Sequence, residues 1–396
     1  MLKSIKDIIS SRESEIKPLN GLRAFAIIFV ILNHYTIGFK GIVTLPAPLE
    51  LLYLNLWSGV DLFFVLSGFL ISKGLWENWK EDSRINFKSF YIKRTLRIFP
   101  AYYFFLTVTY LIGKAMIIAV ESKGLPNETE GLKQSLANSW GDFLFLGNYI
   151  QGLNSHTWSL SSEEQFYLAF PILCATLFFK VGFKFRQVLL WLLYLIPFLF
   201  RIYTFTTLSD TATPPYFRKI YYPFQTRFDS LIIGVIVMDL YMNRQDISKF
   251  IEERVLVYYT LFIIFFSFII LTHSISQDGK EFFTHTFKYN FLNIGYAGIL
   301  YLSIIRMESP LSRFLSLKVF TPIARLSYTI YLWHFILMGA AAMLLKIKSV
   351  EMSLLAFHLK FLGMGVILIL LSLPLYLMIE VPFQKLRNRL RLNGTK

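Results

Sequence analysis

Long apolar runs alternate with short polar connections along the whole chain. About ten runs, each near 20 residues, are long enough to cross ~30 Å of hydrocarbon as helices. Their approximate limits are 21–39, 55–73, 98–119, 158–179, 187–205, 223–241, 255–273, 289–305, 326–345 and 359–379. Residues 1–19 are polar and amphipathic and lack the apolar core and small-residue cleavage site of a signal peptide, so this segment is expected to stay attached. The longest connection, about 120–157, holds one polar stretch, and no period repeats. The pattern predicts an all-α polytopic membrane protein with a cytoplasmic segment 1–19, a transmembrane region 20–383 and a basic tail 384–396.

Composition agrees: 55% of residues are hydrophobic, 16% are charged, and mean hydropathy is +0.51, beyond what a soluble domain of this length tolerates. A single cysteine, Cys174, excludes an internal disulfide. The net charge of +15 raises the question of nucleic acid, but the basic residues are scattered between apolar runs and form no stripe. Their meaning is topological. With alternating sides and a cytoplasmic amino terminus, 27 Lys and Arg fall inside and 13 outside, which places both termini in the cytoplasm.

Polar groups inside such runs are the candidates for chemistry, because an ionisable side chain at membrane depth is expensive and is kept for a task. Arg23 opens the first run and His34 lies deep in it. Eleven residues are three turns plus about 20°, so both side chains share a face, roughly 16 Å apart in height. In the second run, Asp61 lies in the outer half, open to either an internal ion pair or a substrate contact. Ser67 and Gly68 there offer a small surface for close helix approach. At the cytoplasmic mouth of the third run, Arg94 and Arg97 are i and i+3, two forks able to hold phosphate bidentately, or else a topological cluster touching anionic lipid. Entering the fourth run, Trp158 and Ser159 precede Glu163 and Glu164, which sit at a depth similar to that of His34. A carboxylate beside an imidazole raises its basicity and fixes its tautomer, as a general base requires. The two glutamates diverge by about 100° on a helix, so one of them is structural. Arg227 and Asp229 mark the outer entrance of the sixth run, His334 the middle of the ninth, and Glu380 the cytoplasmic end of the tenth.

Seven of these stretches, in this order, resemble an integral-membrane acyltransferase family, acyltransferase family 3. They are Arg23 with ten residues to His34, Asp-Leu-Phe-Phe-Val-Leu-Ser-Gly-Phe at 61–69, Arg-Thr-Leu-Arg-Ile-Phe-Pro at 94–100, Thr-Trp-Ser-Leu-Ser-Ser-Glu-Glu-Gln-Phe-Tyr at 157–167, Arg-Phe-Asp-Ser-Leu at 227–231, Leu-Ser-Tyr-Thr-Ile-Tyr-Leu-Trp-His at 326–334 and Glu-Val-Pro-Phe at 380–383. The likeness covers about residues 20–383 and makes them the acyltransferase domain. It implies an enzyme of bacterial inner membranes that moves an acyl group, most often acetyl, from cytoplasmic acyl-CoA to a hydroxyl of an extracytoplasmic glycan. It also implies essential roles for Arg23, His34, Arg94 and Arg97, and carries the glutamate of the Trp-Ser-Leu motif onto Glu163. Lys93 stands where the family often has a second arginine, and Ser162 where an aliphatic residue is common.

The expected site follows. Arg94 and Arg97, with Lys93 beside them, hold the phosphates of acetyl-CoA, whose pantetheine arm reaches toward His34. His34 acts as general base or as an acyl relay, with Arg23 and Glu163 assisting. Asp61, Trp158, Ser159, Arg227, Asp229 and His334 serve as substrate contacts or support. No metal is expected, and the partners are acyl-CoA, a carbohydrate acceptor, the bilayer and other components of glycan assembly. The competing reading is a secondary transporter of a glycan precursor using His34 and Glu163 as a proton relay, against which stands the absence of paired halves.

Overall fold

The computed structural model describes Ile8, Ser10 and residues 15–208, 216–276, 281–347 and 352–393, so most of segment 1–19 and residues 394–396 of the tail lie outside it. It is 83% helical, and no strand occurs among the described residues. Each of the ten predicted runs contains a helix. These are α1 (Pro18–Gly38), α2 (Gly59–Asp82), α3 (Phe87–Glu121), α4 (Trp158–Thr176), α5 (Phe183–Thr207), α6 (Asp229–Asn243), α7 (Val255–His273), α8 (Phe287–Ile305), α9 (Phe320–Leu344) and α10 (Leu354–Leu375).

Among the described residues, seven segments are long and apolar enough to cross a bilayer: Pro18–Gly38, Ala47–Asp82, Phe87–Glu121, Phe183–Thr207, Val255–His273, Phe320–Leu344 and Leu354–Arg389. The protein is therefore an all-α polytopic membrane protein. Helices α4, α6 and α8 are the other predicted runs. Helix α6 has only 15 residues, about 22 Å at 1.5 Å per residue, while α4 carries Glu163 and Glu164 and α8 opens on Lys288.

Helix ends follow local chemistry rather than the edge of hydrophobicity. Helix α3 starts at Phe87 because the Asn86 side chain caps it, accepting from Ser89 N at 2.9 Å. Pro18 occupies the first turn of α1, where its missing N–H costs nothing. Helix α6 waits until Asp229 because Pro223 and the short turn Phe224–Thr226 precede it.

The chain forms two compact units. The first comprises residues 1–73, 187–198 and 229–378; the second comprises 74–186, 199–228 and 379–396. In the first, α1 packs along α9, α9 along α10, and α8 between α6 and α7. Helices α2 and α6 approach closely: a Cβ on Gly68 would collide with the Leu231 carbonyl and one on Gly234 with that of Val65. This is the small-residue contact expected around Ser67 and Gly68. Gly68→Ala is expected to lower stability by about 1–3 kcal/mol through overpacking. Gly74→Ala, on the same helix with nothing within 4 Å of the added Cβ, is expected to be neutral or stabilising; thermal unfolding in detergent checks both. In the second unit, α3 packs against the short helices Glu130–Ala137 and Trp140–Phe143 and against the helix Val381–Asn393.

Candidate active site

The first unit presents His34. Its neighbours in sequence fix its place: Asn33 donates through Nδ2 to the Tyr53 and Leu54 carbonyls at 3.1 and 2.9 Å, and Tyr35 donates its hydroxyl to Phe357 O at 3.0 Å. Helix α1 is thus tied to the helix Ala47–Leu54 on one side and to α10 on the other. His34 itself is half-buried, whereas His334 on α9 is fully buried. Their rings stack with centroids 4.9 Å apart and planes 11° apart, and Phe335 packs 4.7 Å from His34.

The hydrogen bonds decide where the protons sit. Nδ1 of His334 lies 2.6 Å from the Tyr331 carbonyl oxygen, an atom that only accepts, so Nδ1 carries a proton. In the neutral ring Nε2 is then bare, and it accepts from Nδ1–H of His34 at 2.9 Å. His34 is left with an unprotonated Nε2, the lone pair a base or nucleophile needs. This assignment comes from the hydrogen-bond network. Sequence reasoning sought the imidazole's partner in Glu163; the bonded partner in this unit is His334. The only signal for it was a second histidine in an apolar run.

The second unit holds the basic motif. The Arg94 guanidinium lies 5.1 Å above the Tyr167 ring and 5.8 Å from that of Phe90, and the charges of Glu163 and Glu164 act on it. The Tyr167 hydroxyl donates to Glu163 Oε2 at 2.8 Å, and Tyr91 donates to Leu168 O at 2.9 Å, so α3 and α4 are joined along this seam. Glu164 is the more buried of the pair and its Oε2 has no hydrogen-bond partner among the described residues. Arg97 points differently: it is exposed and makes no hydrogen bond or ion pair among the described residues. The two arginines expected to act as twin forks therefore differ in character. Arg23 and Lys93 are half-buried, the one in the second turn of α1 and the other one residue before Arg94.

The supporting candidates divide in the same way. Asp61, fully buried in α2, lies 3.0 Å from the Ser230 hydroxyl, which is also 3.0 Å from Asn293 Oδ1, so α2, α6 and α8 meet on one polar contact. Asp229 takes the amide of Ser230 at 3.1 Å in the first turn of α6, where a carboxylate suits the helix dipole. His334 has been placed against His34. In the second unit, Arg227 is fully buried over Tyr221 at 4.6 Å and Trp158 at 5.5 Å, and Ser159 donates to His156 O at 3.3 Å. Among the described residues no three His, Cys, Asp or Glu side chains converge as metal ligands.

A family profile described as an acyltransferase domain matches residues 16–377. The chain belongs to this acyltransferase family. The O-acetyltransferase OatA of Staphylococcus aureus, from strains NCTC 8325 and COL, is 27% identical over 334 residues, covering 80% of this chain and 49% of the relative. The chain spans about half the length of the curated relatives it matches. No solved structure matches. Every candidate residue from Arg23 to His334 falls inside the acyltransferase match, whereas the basic helix Val381–Asn393 lies beyond it.

One feature of this chain escaped sequence reasoning. In the connection after α3, Asp142 is buried, taking the Thr157 hydroxyl at 2.9 Å and the Asn154 amide at 3.4 Å, while Tyr102 donates to its backbone carbonyl at 2.8 Å. Burial pushes the Asp142 carboxyl up to about 6 from 3.8, against the pull of those hydrogen bonds. A raised acid contributes stability that is full below the unfolded value near 4 and is lost as pH rises through about 6. Asp142→Asn, which mimics the neutral form, is expected to flatten this dependence. The difference between wild type and variant should change by about 2 kcal/mol between pH 4 and pH 7, at ~1.4 kcal/mol per unit, read as unfolding midpoints against pH.

Proposed function

We propose that this protein is a membrane O-acyltransferase of the bacterial inner membrane, with about ten crossings and both termini in the cytoplasm. It moves an acyl group, acetyl in the first instance, from cytoplasmic acyl-CoA to a hydroxyl of an extracytoplasmic glycan. The observation that carries this reading is the bare Nε2 of His34 in a chain of the acyltransferase family, held by the His334 to Tyr331 chain of hydrogen bonds. That the relatives are O-acetyltransferases favours acetyl as the group and oxygen as the acceptor atom.

In the proposed step, His34 Nε2 takes the acceptor's hydroxyl proton as that oxygen attacks the thioester carbon. The carbon–sulfur bond breaks, and the departing CoA thiolate recovers the proton from His34, so ester and free CoA are the products. In the relay variant the same lone pair attacks the thioester carbon first, the carbon–sulfur bond breaks to release CoA thiolate, and the acceptor oxygen then displaces the imidazole, its hydroxyl proton passing to the thiolate. Arg97 binds donor phosphate, Arg94 holds the seam between α3 and α4 through Tyr167 and Glu163, and Arg23 stands at the cytoplasmic end of α1.

The reading is tested with protein reconstituted into liposomes and acetyl-CoA labelled in the acetyl group, supplied with soluble oligosaccharides. Label in the sugar with one CoA released per ester supports it. Movement of unmodified sugar across the bilayer without CoA release moves the transporter reading to the front. Acid-quenched protein carrying label lost in His34→Ala selects the relay over direct attack.

A further inference from the structure

The helix Val381–Asn393 and the first half of α3 contain no Asp or Glu between them, from Phe87 to Phe105 and from Val381 to Asn393. They do contain Lys88, Lys93, Arg94, Arg97, Lys385, Arg387 and Arg389, and the two helices pack together within one unit. Packing like charges together is unfavourable unless an anion joins them. Of these cations Arg94 is answered by Glu163 and Glu164. Arg97, Lys385 and Arg389 are exposed and make no hydrogen bond or ion pair among the described residues. Lys385 and Arg389 are i and i+4, so they share one face of their helix.

The donor's charge asks for more than Arg97 provides. The head of CoA carries a pyrophosphate with about two negative charges and a 3′-phosphate monoester with about 1.5–2 more, on opposite sides of one ribose. A single exposed guanidinium serves one of these groups bidentately and leaves the other to water. We propose that the helix Val381–Asn393 completes the donor site, with Lys385 and Arg389 binding the 3′-phosphate while Arg97 binds the pyrophosphate. This rests on the acyl-CoA reading above and adds a residue set outside the family match. Its consequence is selectivity: the protein distinguishes CoA from the same molecule lacking the 3′-phosphate. Anionic phospholipid offers the same phosphate chemistry, and the test separates the two sources.

The full chain is placed in nanodiscs of phosphatidylcholine, and binding of CoA and of 3′-dephospho-CoA is measured at low salt by titration calorimetry. Wild type is expected to bind CoA about tenfold or more tightly than the dephospho form, the scale of one or two charge-assisted hydrogen bonds. Lys385→Gln/Arg389→Gln should lose that preference and leave dephospho-CoA binding unchanged, whereas Arg97→Gln should weaken both ligands. An unchanged unfolding midpoint without ligand shows that the exposed substitutions leave the fold intact. A double variant that keeps the preference overturns the proposal, as does one whose only defect, in parallel nanodiscs that contain phosphatidylglycerol, is weaker retention of that lipid. If wild type binds neither nucleotide, the acyl-CoA reading itself falls, a result distinct from a variant that binds both as wild type does.

Discussion

His34→Ala is expected to abolish acyl transfer while leaving acetyl-CoA binding in place. Loss of a positioned general base lowers kcat by roughly 10²–10⁴-fold, and loss of a nucleophile removes the covalent route altogether. The substitution removes the hydrogen bond to His334 and the ring contacts with His334 and Phe335, while Asn33 and Tyr35 still anchor the helix on either side. The fold should therefore survive. The check is the rate of CoA thiol release beside the affinity for acetyl-CoA, and a variant with normal binding but wild-type turnover would remove His34 from the chemistry.

His334 gives the second large effect, and it acts through His34. Its Nε2 accepts the Nδ1–H of His34 at 2.9 Å only because the Tyr331 carbonyl holds the proton on its own Nδ1. His334→Leu leaves His34 free to adopt either tautomer and to rotate, so kcat should fall on the order of 10²-fold with KM for acetyl-CoA unchanged, as when other imidazoles lose their orienting partner. His334→Gln presents an amide oxygen at similar reach and should recover part of that loss. A purely structural role predicts the opposite ordering or equal defects in both variants, tracking the unfolding temperature. Kinetics of the two variants at matched folded concentration distinguish these outcomes.

What could be read from the chain and what could not follow one physical division. The apolar runs are local, so each predicted one holds a helix, and the resemblance carried by short motifs agrees with the family profile over 16–377. Helix ends were less legible because hydropathy marks the width of hydrocarbon rather than the end of hydrogen bonding. Helix α2 runs to Asp82, past the predicted limit at 73, since its polar last turns still form good helix in water. Partners across the bundle were hidden, because 300 residues separate His34 from His334 and nothing local records that α1 lies along α9. The same limit applied to Asp61, whose hydroxyl neighbour Ser230 is 169 residues away. Arg94 and Arg97 looked equivalent at i and i+3; their difference arises from Tyr167, Glu163 and Glu164 on another helix.

The most direct measurement is CoA release from acetyl-CoA by the purified, reconstituted protein, followed with a thiol reagent in wild type, His34→Ala and Arg97→Gln. The expected result is release by wild type that requires a glycan acceptor, none by His34→Ala, and recovery of Arg97→Gln as donor concentration is raised. Equal release by wild type and His34→Ala, or failure of folded wild-type protein to consume acetyl-CoA with any acceptor, would contradict the assignment of acyl transfer to His34.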